Sequence, residues 1–453
     1  MAKRKSTRLQ RTLEAILPGK FGEIYRETHD LLTMVLDLFQ KEIPEATLID
    51  SLRKDRDEPI GVYVDIPFCP TTCPYCPFMI EMDSPKSREE YVNALIWHLE
   101  GLAAKLSDNK VDWIHFGGRT PSTLTADQFQ RIMDSMHGMN VNHEATVTME
   151  IRLEHILEDP EKLANYVSAG ANRFSAGVQS LGEERNRIFG RPLHEEVIIS
   201  GIRLLKDSDF EFNIDLMYGA PGQTFGSLES TLKKVVELEV PQITAYLAMP
   251  FKGTHFYDKY EKLSLSEKMR LMVTQKKMTD YLLNSLLSNG YHQSHTFVFA
   301  KEGVTQQSTV KDTATFADVS MVASNQRVLG VGPSSYSLLN GTLVVNPYDR
   351  EGYIKAVESG KEMDYIGMTL NGKLIRSFKE VASHISRMSQ LMPSEKELSQ
   401  YSLFKTFVSY VAWTQLYRWG RNWTSNSEHL GFPTGSKSPD RVVKNPKYVG
   451  RPL

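Results

Sequence analysis

The chain contains very little cysteine. Of its 453 residues only Cys69, Cys73 and Cys76 are cysteines, and all of them fall in one short segment. A disulfide framework would need an even number of cysteines spread along the chain. The scarcity therefore argues against a secreted disulfide scaffold, and the clustering indicates that these thiols share a function.

The chain also lacks an excess of charge of either sign and any long apolar run. It has 53 basic and 55 acidic residues, a formal net charge of −2. This balance gives no basic footprint for nucleic acid, and no apolar run reaches the ~18 residues that a membrane span needs. The basic start is not followed by the apolar core and cleavage site of a secretory signal. We therefore expect a cytoplasmic protein with no nucleic-acid partner and no membrane span.

Strand-like and helix-like segments alternate through the middle of the chain. Strands are expected at 61–66, 111–116, 145–151, 173–177, 210–217 and 242–245. Helical stretches lie between them and after the last one, for example 87–106, 127–136, 227–238 and 266–287. This alternation predicts an α/β fold with a parallel sheet. Because six units fall short of a closed barrel of eight, we expect a partial (β/α)6 TIM-like barrel, with ligands at the carboxyl ends of its strands.

The remaining segments are expected to flank this barrel, which we assign to residues 58–288. Residues 1–57 have apolar side chains at helical spacing, which predicts a helical N-terminal segment. Residues 289–420 contain short strand-like runs at 329–333 and 338–345 and helical stretches at 378–391 and 399–419, which predict an α+β C-terminal domain. Residues 421–453 are rich in Ser, Asn, Lys, Gly and Pro, so we expect a polar, flexible tail.

The cysteines follow the first expected strand with the spacing C-x3-C-x2-C. Three thiolates can ligate three irons of a cubane and leave the fourth iron open to a small chelating ligand. Zinc is an alternative, but structural zinc sites use four protein ligands, and the sequence offers neither a fourth cysteine nor a histidine between residues 29 and 98. Three buried thiols without a ligand are the other alternative. We expect Cys69, Cys73 and Cys76 to hold a 4Fe-4S cluster.

This motif, on the loop after the first strand of a partial barrel, resembles the radical S-adenosylmethionine (SAM) superfamily. Further motifs resemble its HemN-like branch, in order along the chain: residues 63–69, 116–121, Glu150, 172–180, 190–191, 215–224 and 330–333. The resemblance implies that the amino and carboxyl groups of SAM chelate the open iron. It also implies that one electron from the cluster cleaves SAM into methionine and a 5′-deoxyadenosyl radical, with a donor such as flavodoxin or ferredoxin.

The resemblance implies a set of SAM-binding residues as well. Glycines at 117 and 118 let backbone amides approach the aminocarboxylate of the first SAM. The Glu150 carboxylate could bind the SAM amino group or a ribose, with an ion pair to Arg152 or Arg173 as the alternative. The whole expected set is Tyr63, Gly117, Gly118, Thr120, Glu150, Gln179, Arg191 and Asp215.

The ends of two later strands carry the last members of this set. By resemblance, Gln179 and Arg191 lie near the same ligand, and a guanidinium pairs bidentately with a carboxylate. Asp215 ends the fifth expected strand, where it could accept hydrogen bonds from ribose hydroxyls. A helix cap or a strand-end hydrogen bond is the alternative for that carboxylate.

The chain departs from the branch at three positions. Asp65 stands where members usually have a histidine, and Arg119 stands where they usually have a third glycine. Phe78 replaces the additional cysteine that is typical of oxygen-independent coproporphyrinogen dehydrogenases, which argues against that activity. Heme chaperones of the branch carry a His-Asn pair and a Tyr-Trp pair that this sequence lacks.

The Glu-x-Arg sequence at residues 150–152 is similar to that of class C radical SAM methyltransferases, where other members tend to have Asn-Pro. The resemblance implies that two SAM molecules are used. The radical from the first takes a hydrogen from the methyl group of the second, and the methylene radical adds to an sp2 carbon of the substrate. We expect a tetrapyrrole substrate, as in the anaerobic heme-degrading type, or another heterocycle. A cyclopropanase of the same class, a heme chaperone and the dehydrogenase remain alternatives.

Overall fold

The computed structural model describes residues 41–369, except 55–56, 77, 79, 183, 209, 249, 251–253, 294–297, 305–326, 348 and 361–363. The helices expected at 378–391 and 399–419, the tail at 421–453 and the first forty residues of the N-terminal segment lie outside the described residues. Within them, the chain forms an α/β fold around a sheet of 13 strands, with a second sheet of 2 strands.

The strands are β1 (Lys41–Pro44), β2 (Ile60–Ile66), β3 (Phe68–Cys69), β4 (Glu81–Met82), β5 (Lys110–Gly118), β6 (Asn140–Ile151), β7 (Arg173–Gln179), β8 (Glu211–Tyr218), β9 (Gln242–Leu247), β10 (Tyr291–Gln293), β11 (Val298–Lys301), β12 (Val328–Val331), β13 (Tyr336–Leu339), β14 (Thr342–Val345) and β15 (Asp364–Thr369). The helices are α1 (Glu45–Lys54), α2 (Pro85–Leu106), α3 (Ala126–Ser135), α4 (Leu153–Glu158), α5 (Pro160–Ser168), α6 (Glu184–Phe189), α7 (Glu195–Lys206), α8 (Phe225–Glu237), α9 (His255–Glu261), α10 (Leu265–Ser288) and α11 (Arg350–Glu358).

Six neighbouring strands form the expected parallel barrel wall, in the order β2-β5-β6-β7-β8-β9. Every residue of β2 is buried, as a parallel strand covered on both faces requires. N-terminal caps encoded in the sequence fix where the helices that cover the sheet begin. The Ser84 side chain caps α2, and Thr125 and Gln128 form a capping box at α3. The carboxyl ends of the six strands therefore meet on one side of the sheet, as the sequence predicted.

The C-terminal strands extend this same sheet at both of its edges. Strands β11 and β10 continue antiparallel from β9, while β12 lies parallel to β2 and leads into β13, β14 and β15. A six-stranded open sheet would expose two rows of unpaired backbone groups, and these additions cover both. The described part of residues 289–420 therefore belongs to the barrel sheet, which differs from the separate domain that we expected.

The N-terminal segment also differs in part from expectation. Strand β1 lies where a helical segment was expected, because β1 pairs antiparallel with β15 and completes the sheet edge. The helix α1 follows directly and buries Leu48, Ile49 and Leu52. Local helical spacing could not reveal the strand, since its partner β15 lies more than 300 residues later in the sequence.

Candidate functional site

One cavity opens at the carboxyl ends of the six parallel strands. Most of the expected site residues line it: Cys69, Cys73, Cys76, Gly118, Thr120, Glu150, Gln179, Arg191 and Asp215. Tyr63 and Gly117 stand behind Glu150 rather than in the lining. A Cβ atom at position 117 would lie 2.8 Å from the Glu150 Oε1 atom and from the Tyr63 ring, so only glycine fits between them.

The cysteine loop forms one wall of this cavity. Cys69 and Cys73 are buried, and the Cys69 sulfur lies 3.1 Å from the Thr120 hydroxyl. Burial raises the pKa of Cys76 to about 12 and also raises that of Cys69. Since metals bind the thiolate, iron binding here would release protons. Among the described residues, no group of three or more His, Cys, Asp or Glu side chains converges so as to hold a single metal ion.

The surroundings of the cysteines fit an anionic cluster with a carboxylate-bearing ligand. Burial raises the pKa of the Cys69 thiol, while the Thr120 hydroxyl and the positive charges of Arg191 and Arg119 lower it. The Nε and Nη1 atoms of Arg191 are buried without a hydrogen-bond partner in the described part of the chain. Buried donors normally have a hydrogen-bond partner. These two atoms therefore favour a bound ligand that carries a hydrogen-bond acceptor, such as a carboxylate.

Glu150, at the end of β6, pairs with a histidine on the neighbouring strand β5. The His115 Nε2 atom lies 2.9 Å from Glu150 Oε1, and the His115 side chain is 3% exposed. The Tyr63 ring stacks on the imidazole with centroids 5.7 Å apart. The two arginines considered as partners of Glu150 have other contacts, since Arg152 pairs with Glu154 and Arg173 donates to a glutamine side chain. The motif search missed His115, although it stands two residues before Gly117 on the same strand.

Three arginines surround one carboxylate beside the cysteine loop. The Arg152 Nη2 atom lies 3.1 Å from Glu154 Oε1, and Nη2 of the fully buried Arg185 lies 3.6 Å from the same oxygen. Burial raises the pKa of Glu154, but the charges of Arg152, Arg191 and Arg185 outweigh it and hold that pKa below the usual value. This side of the cavity therefore carries more positive than negative charge.

Arg152 also anchors the cysteine loop. Its Nη1 atom donates a 3.0 Å hydrogen bond to the hydroxyl of Thr71, between the first two cysteines. Its backbone amide donates to the Ser122 hydroxyl at 3.0 Å, and its Nε atom is buried without a hydrogen-bond partner in the described residues. The Glu-x-Arg sequence thus delivers its arginine to the cavity wall.

A polar network fills the barrel interior around Asp215. The Asn213 amide donates to the Asp215 carboxylate and to the Ser175 hydroxyl, both at 2.9 Å, and accepts from Thr244 at 2.9 Å. Of these residues, only Asp215 was predicted from the sequence to bind SAM. A period of two along each strand would have found the rest, since alternate strand residues face the same side. Asp215 thus has a side-chain donor of its own, in line with the hydrogen-bond alternative, and still lines the cavity.

Gln179 sits in an unusual backbone conformation at the end of β7. Its φ angle is 64°, a left-handed value, and the pairing of β7 with β8 shifts register between Gly177 and Gln179. A bulge of this kind re-aims a side chain at the end of a strand. Left-handed strain at a non-glycine residue is common at ligand sites.

Comparison with known proteins identifies the superfamily of this barrel. Residues 63–235 match the family profile described as Radical SAM superfamily. The chain is 27% identical over 300 residues to "Heme chaperone HemW" of Bacillus subtilis, covering 66% of this chain and 76% of that protein. It is 26% identical over 345 residues to "Oxygen-independent coproporphyrinogen III oxidase" of Salmonella typhimurium, covering 73% of each.

A solved structure shares the fold. The coproporphyrinogen III oxidase HemN from Escherichia coli, described as a radical SAM enzyme, superimposes with a TM-score of 0.65 at 22% sequence identity. The alignment covers 76% of this chain and 80% of that one. The partial barrel predicted from the alternating segments is thereby confirmed.

Proposed function

Because the chain belongs to the radical SAM superfamily, in its HemN-like branch, we propose that it is a class C methyltransferase that uses two SAM molecules. The proposed substrate is a tetrapyrrole, methylated at an sp2 carbon as in anaerobic heme degradation, or another heterocycle. Membership of the branch supports a radical SAM enzyme and implies a 4Fe-4S cluster and SAM as its cofactors. We place it in the cytoplasm, with a flavodoxin or ferredoxin as electron donor.

In this proposal Cys69, Cys73 and Cys76, which line the cavity, would hold three irons of the cluster and would leave the fourth iron open to SAM. When bound and reduced, the cluster supplies the electron that cleaves SAM to a 5′-deoxyadenosyl radical. The chain itself contributes binding and orientation. Glu150, held by His115, receives the SAM amino group, and Asp215, held by Asn213, receives a ribose hydroxyl.

The observation that carries methyl transfer is the position of Arg152. This residue distinguishes the Glu-x-Arg sequence, and it lines the cavity while bridging the cysteine loop and Glu154. Together with Arg191 it places two guanidiniums on the cavity wall, and the buried Arg185 behind them offsets the charge of Glu154, which leaves an excess of positive charge on this side. That excess suits more than one carboxylate-bearing ligand, as two SAM molecules and an acidic tetrapyrrole would be.

The apolar side chains of the cavity support the same proposal. Phe78 occupies the position of the additional cysteine of the dehydrogenases and lines the cavity together with Ile80 and Met217. An apolar wall of this kind excludes water from the reacting groups and suits a flat ring substrate. Because Phe78 has no thiol, this wall lacks the group that the additional cysteine provides in the dehydrogenases.

A heme chaperone is the second candidate, because a relative of that name is 27% identical over 300 residues. SAM with a deuterated methyl group separates the candidates. During anaerobic turnover with a tetrapyrrole, two-SAM methyl transfer should put deuterium into 5′-deoxyadenosine and two deuterons into the methylated product, both measured by mass spectrometry. Label-free 5′-deoxyadenosine during product formation would refute methyl transfer, and heme binding with hardly any 5′-deoxyadenosine would favour the chaperone.

A further inference from the structure

Of the three residues at which this chain departs from the HemN-like pattern, Arg119 lies against the other two. Arg119 donates from Nη1 to both carboxylate oxygens of Asp65, at 2.8 and 3.0 Å. Its guanidinium carbon lies 5.6 Å from the centre of the Phe78 ring, within cation–π range. Asp65, in place of a histidine, and Arg119, in place of a glycine, therefore form one ion pair. The Arg119 guanidinium of this pair lies over the ring of Phe78, which stands in place of a cysteine.

This pair is buried, so its two charges depend on each other. The Asp65 and Arg119 side chains are each 4% exposed. Burial raises the pKa of Asp65 to about 6, although the Arg119 charge opposes that rise. A buried ion pair costs free energy to desolvate and is a poor source of stability by itself. The position of this ion pair beside the cysteine loop therefore points to a role other than stabilising the fold.

The pair is held in a fixed position. A Cβ atom at Gly118 would lie 2.3 Å from the Asp65 carboxylate, and one at Gly332 would lie 2.7 Å from the Asp65 carbonyl oxygen. Both glycines have a φ angle of 101°, which side chains rarely adopt. The Arg119 guanidinium reaches the Ser334 hydroxyl at 3.4 Å on its other side. Asp65 is thus enclosed by two glycines, and Arg119 is clamped between it and the loop after β12.

Arg119 borders the cavity that the cysteine loop lines. Arg119 lines the same cavity as Cys69 and Cys76, and its neighbour Thr120 contacts the Cys69 sulfur at 3.1 Å. The positive charge of Arg119 also acts on both of these thiols. A cation at this place stabilises a cluster more after it has gained an electron than before, because the added electron makes the cluster more negative.

We propose that Arg119 is a redox-tuning residue that raises the reduction potential of the cluster, and that Asp65 is a positioning residue that holds it there while partly offsetting its charge. The inference concerns the cluster alone, so it stands whether or not methyl transfer is the reaction. Asp65 and Arg119 thus act together on the cluster, although they share no sequence motif and lie 54 residues apart.

Potentiometric titration of the reconstituted full chain, followed by the electron paramagnetic resonance signal of the reduced cluster, tests this proposal. The double variant Asp65→Asn with Arg119→Gln removes both charges and keeps an amide pair. Its reduced-to-oxidised ratio at the wild-type midpoint should fall about tenfold, which is about 59 mV for one electron. Asp65→Asn alone should shift the midpoint in the opposite direction, because the arginine charge is then unopposed.

Two further variants serve as controls. Arg119→Lys keeps the charge and should leave the midpoint near that of the wild type. The matched double variant Lys206→Gln with Glu239→Gln removes an exposed ion pair on another surface and should change nothing. An unchanged midpoint in the site double variant at full iron content would overturn the proposal. So would shifts of the same sign in the site double variant and Asp65→Asn, or an equally large shift in Arg119→Lys.

Discussion

The imidazole of His115 and the carboxylate of Glu150 lie 2.9 Å apart, Nε2 to Oε1, on adjacent parallel strands. Tyr63 stacks on the imidazole, and Gly117 leaves the space in which the carboxylate lies. The pairing holds Glu150 at the cavity wall. Tyr63 and Gly117, two residues expected to bind SAM, thus also lie beside this pair, and their role in binding SAM stays a prediction.

Replacing this carboxylate should weaken SAM binding. Loss of a charged hydrogen-bond partner costs roughly 1.5 to 3 kcal/mol, so Glu150→Gln should lower SAM affinity about 10- to 100-fold. Isothermal titration of the reconstituted protein measures the effect. Glu144→Gln, an exposed position on the same strand, is the control. If a folded Glu150→Gln protein binds SAM as the wild type does, Glu150 serves the pairing with His115 alone.

Strand β12 leaves no free space for a side chain at Gly330. A Cβ atom there would lie 2.3 Å from the Tyr336 carbonyl oxygen, a backbone atom that cannot move aside cheaply. Gly330→Ala should therefore lower the free energy of unfolding by about 1 to 3 kcal/mol. Gly101→Ala, within α2 and with no atom inside 4 Å, should instead raise it by about 0.5 to 1 kcal/mol. Chemical denaturation measures both, and equal effects in the two variants would contradict the packing described for β12.

His98 should make stability depend on pH. Burial lowers the pKa of His98 to about 4, and its Nδ1 atom is 2.8 Å from the Tyr353 hydroxyl. The ordinary value of about 6.5 applies in the unfolded chain, which therefore binds more protons between these two pH values. The free energy of unfolding should fall as the pH drops from about 6.5 to about 4, by roughly 2 to 3 kcal/mol from this residue.

The variant His98→Asn keeps a polar atom near the Tyr353 hydroxyl and removes the titration. Urea denaturation at a series of pH values should show a shallower fall for this variant than for the wild type. The exposed His137 provides the matched variant, His137→Asn, which should retain the wild-type slope. A wild-type slope in His98→Asn would rule out the contribution assigned to this histidine.

The sequence predicted those strands and helices whose positions follow from the local spacing of apolar residues. The six parallel strands lie where the alternation placed them, and the polar residues gather at their carboxyl ends as parallel topology requires. Contacts between distant segments could not be predicted. Strand β12 lies against β2 although more than 260 residues separate Val328 from Gly61, and the pairing of Asp65 with Arg119 joins two positions that looked like unrelated departures.

Some further residues of the candidate site could also have been predicted from the sequence. Asn213 and Thr244 follow the same alternation that places Asp215 in the barrel, so strand periodicity alone could have added them. The cluster of Arg152, Arg185 and Glu154 could not be found in this way. Those side chains meet only because the helices after β6 and β7 bring them to the same edge of the sheet.

Among the described residues, no helix is both long enough and apolar enough to cross a membrane.

Anaerobic reconstitution of the full chain, with iron counting and electron paramagnetic resonance before and after SAM is added, tests the central claim most directly. The wild type should bind about four irons, and SAM should change the signal of the reduced cluster because one iron is open to it. Cys69→Ala, Cys73→Ala and Cys76→Ala should each lose the cluster, while Thr72→Ala, at an exposed position in the same loop, should keep it. Full iron content and an unaltered SAM response in any of the three cysteine variants would contradict the account.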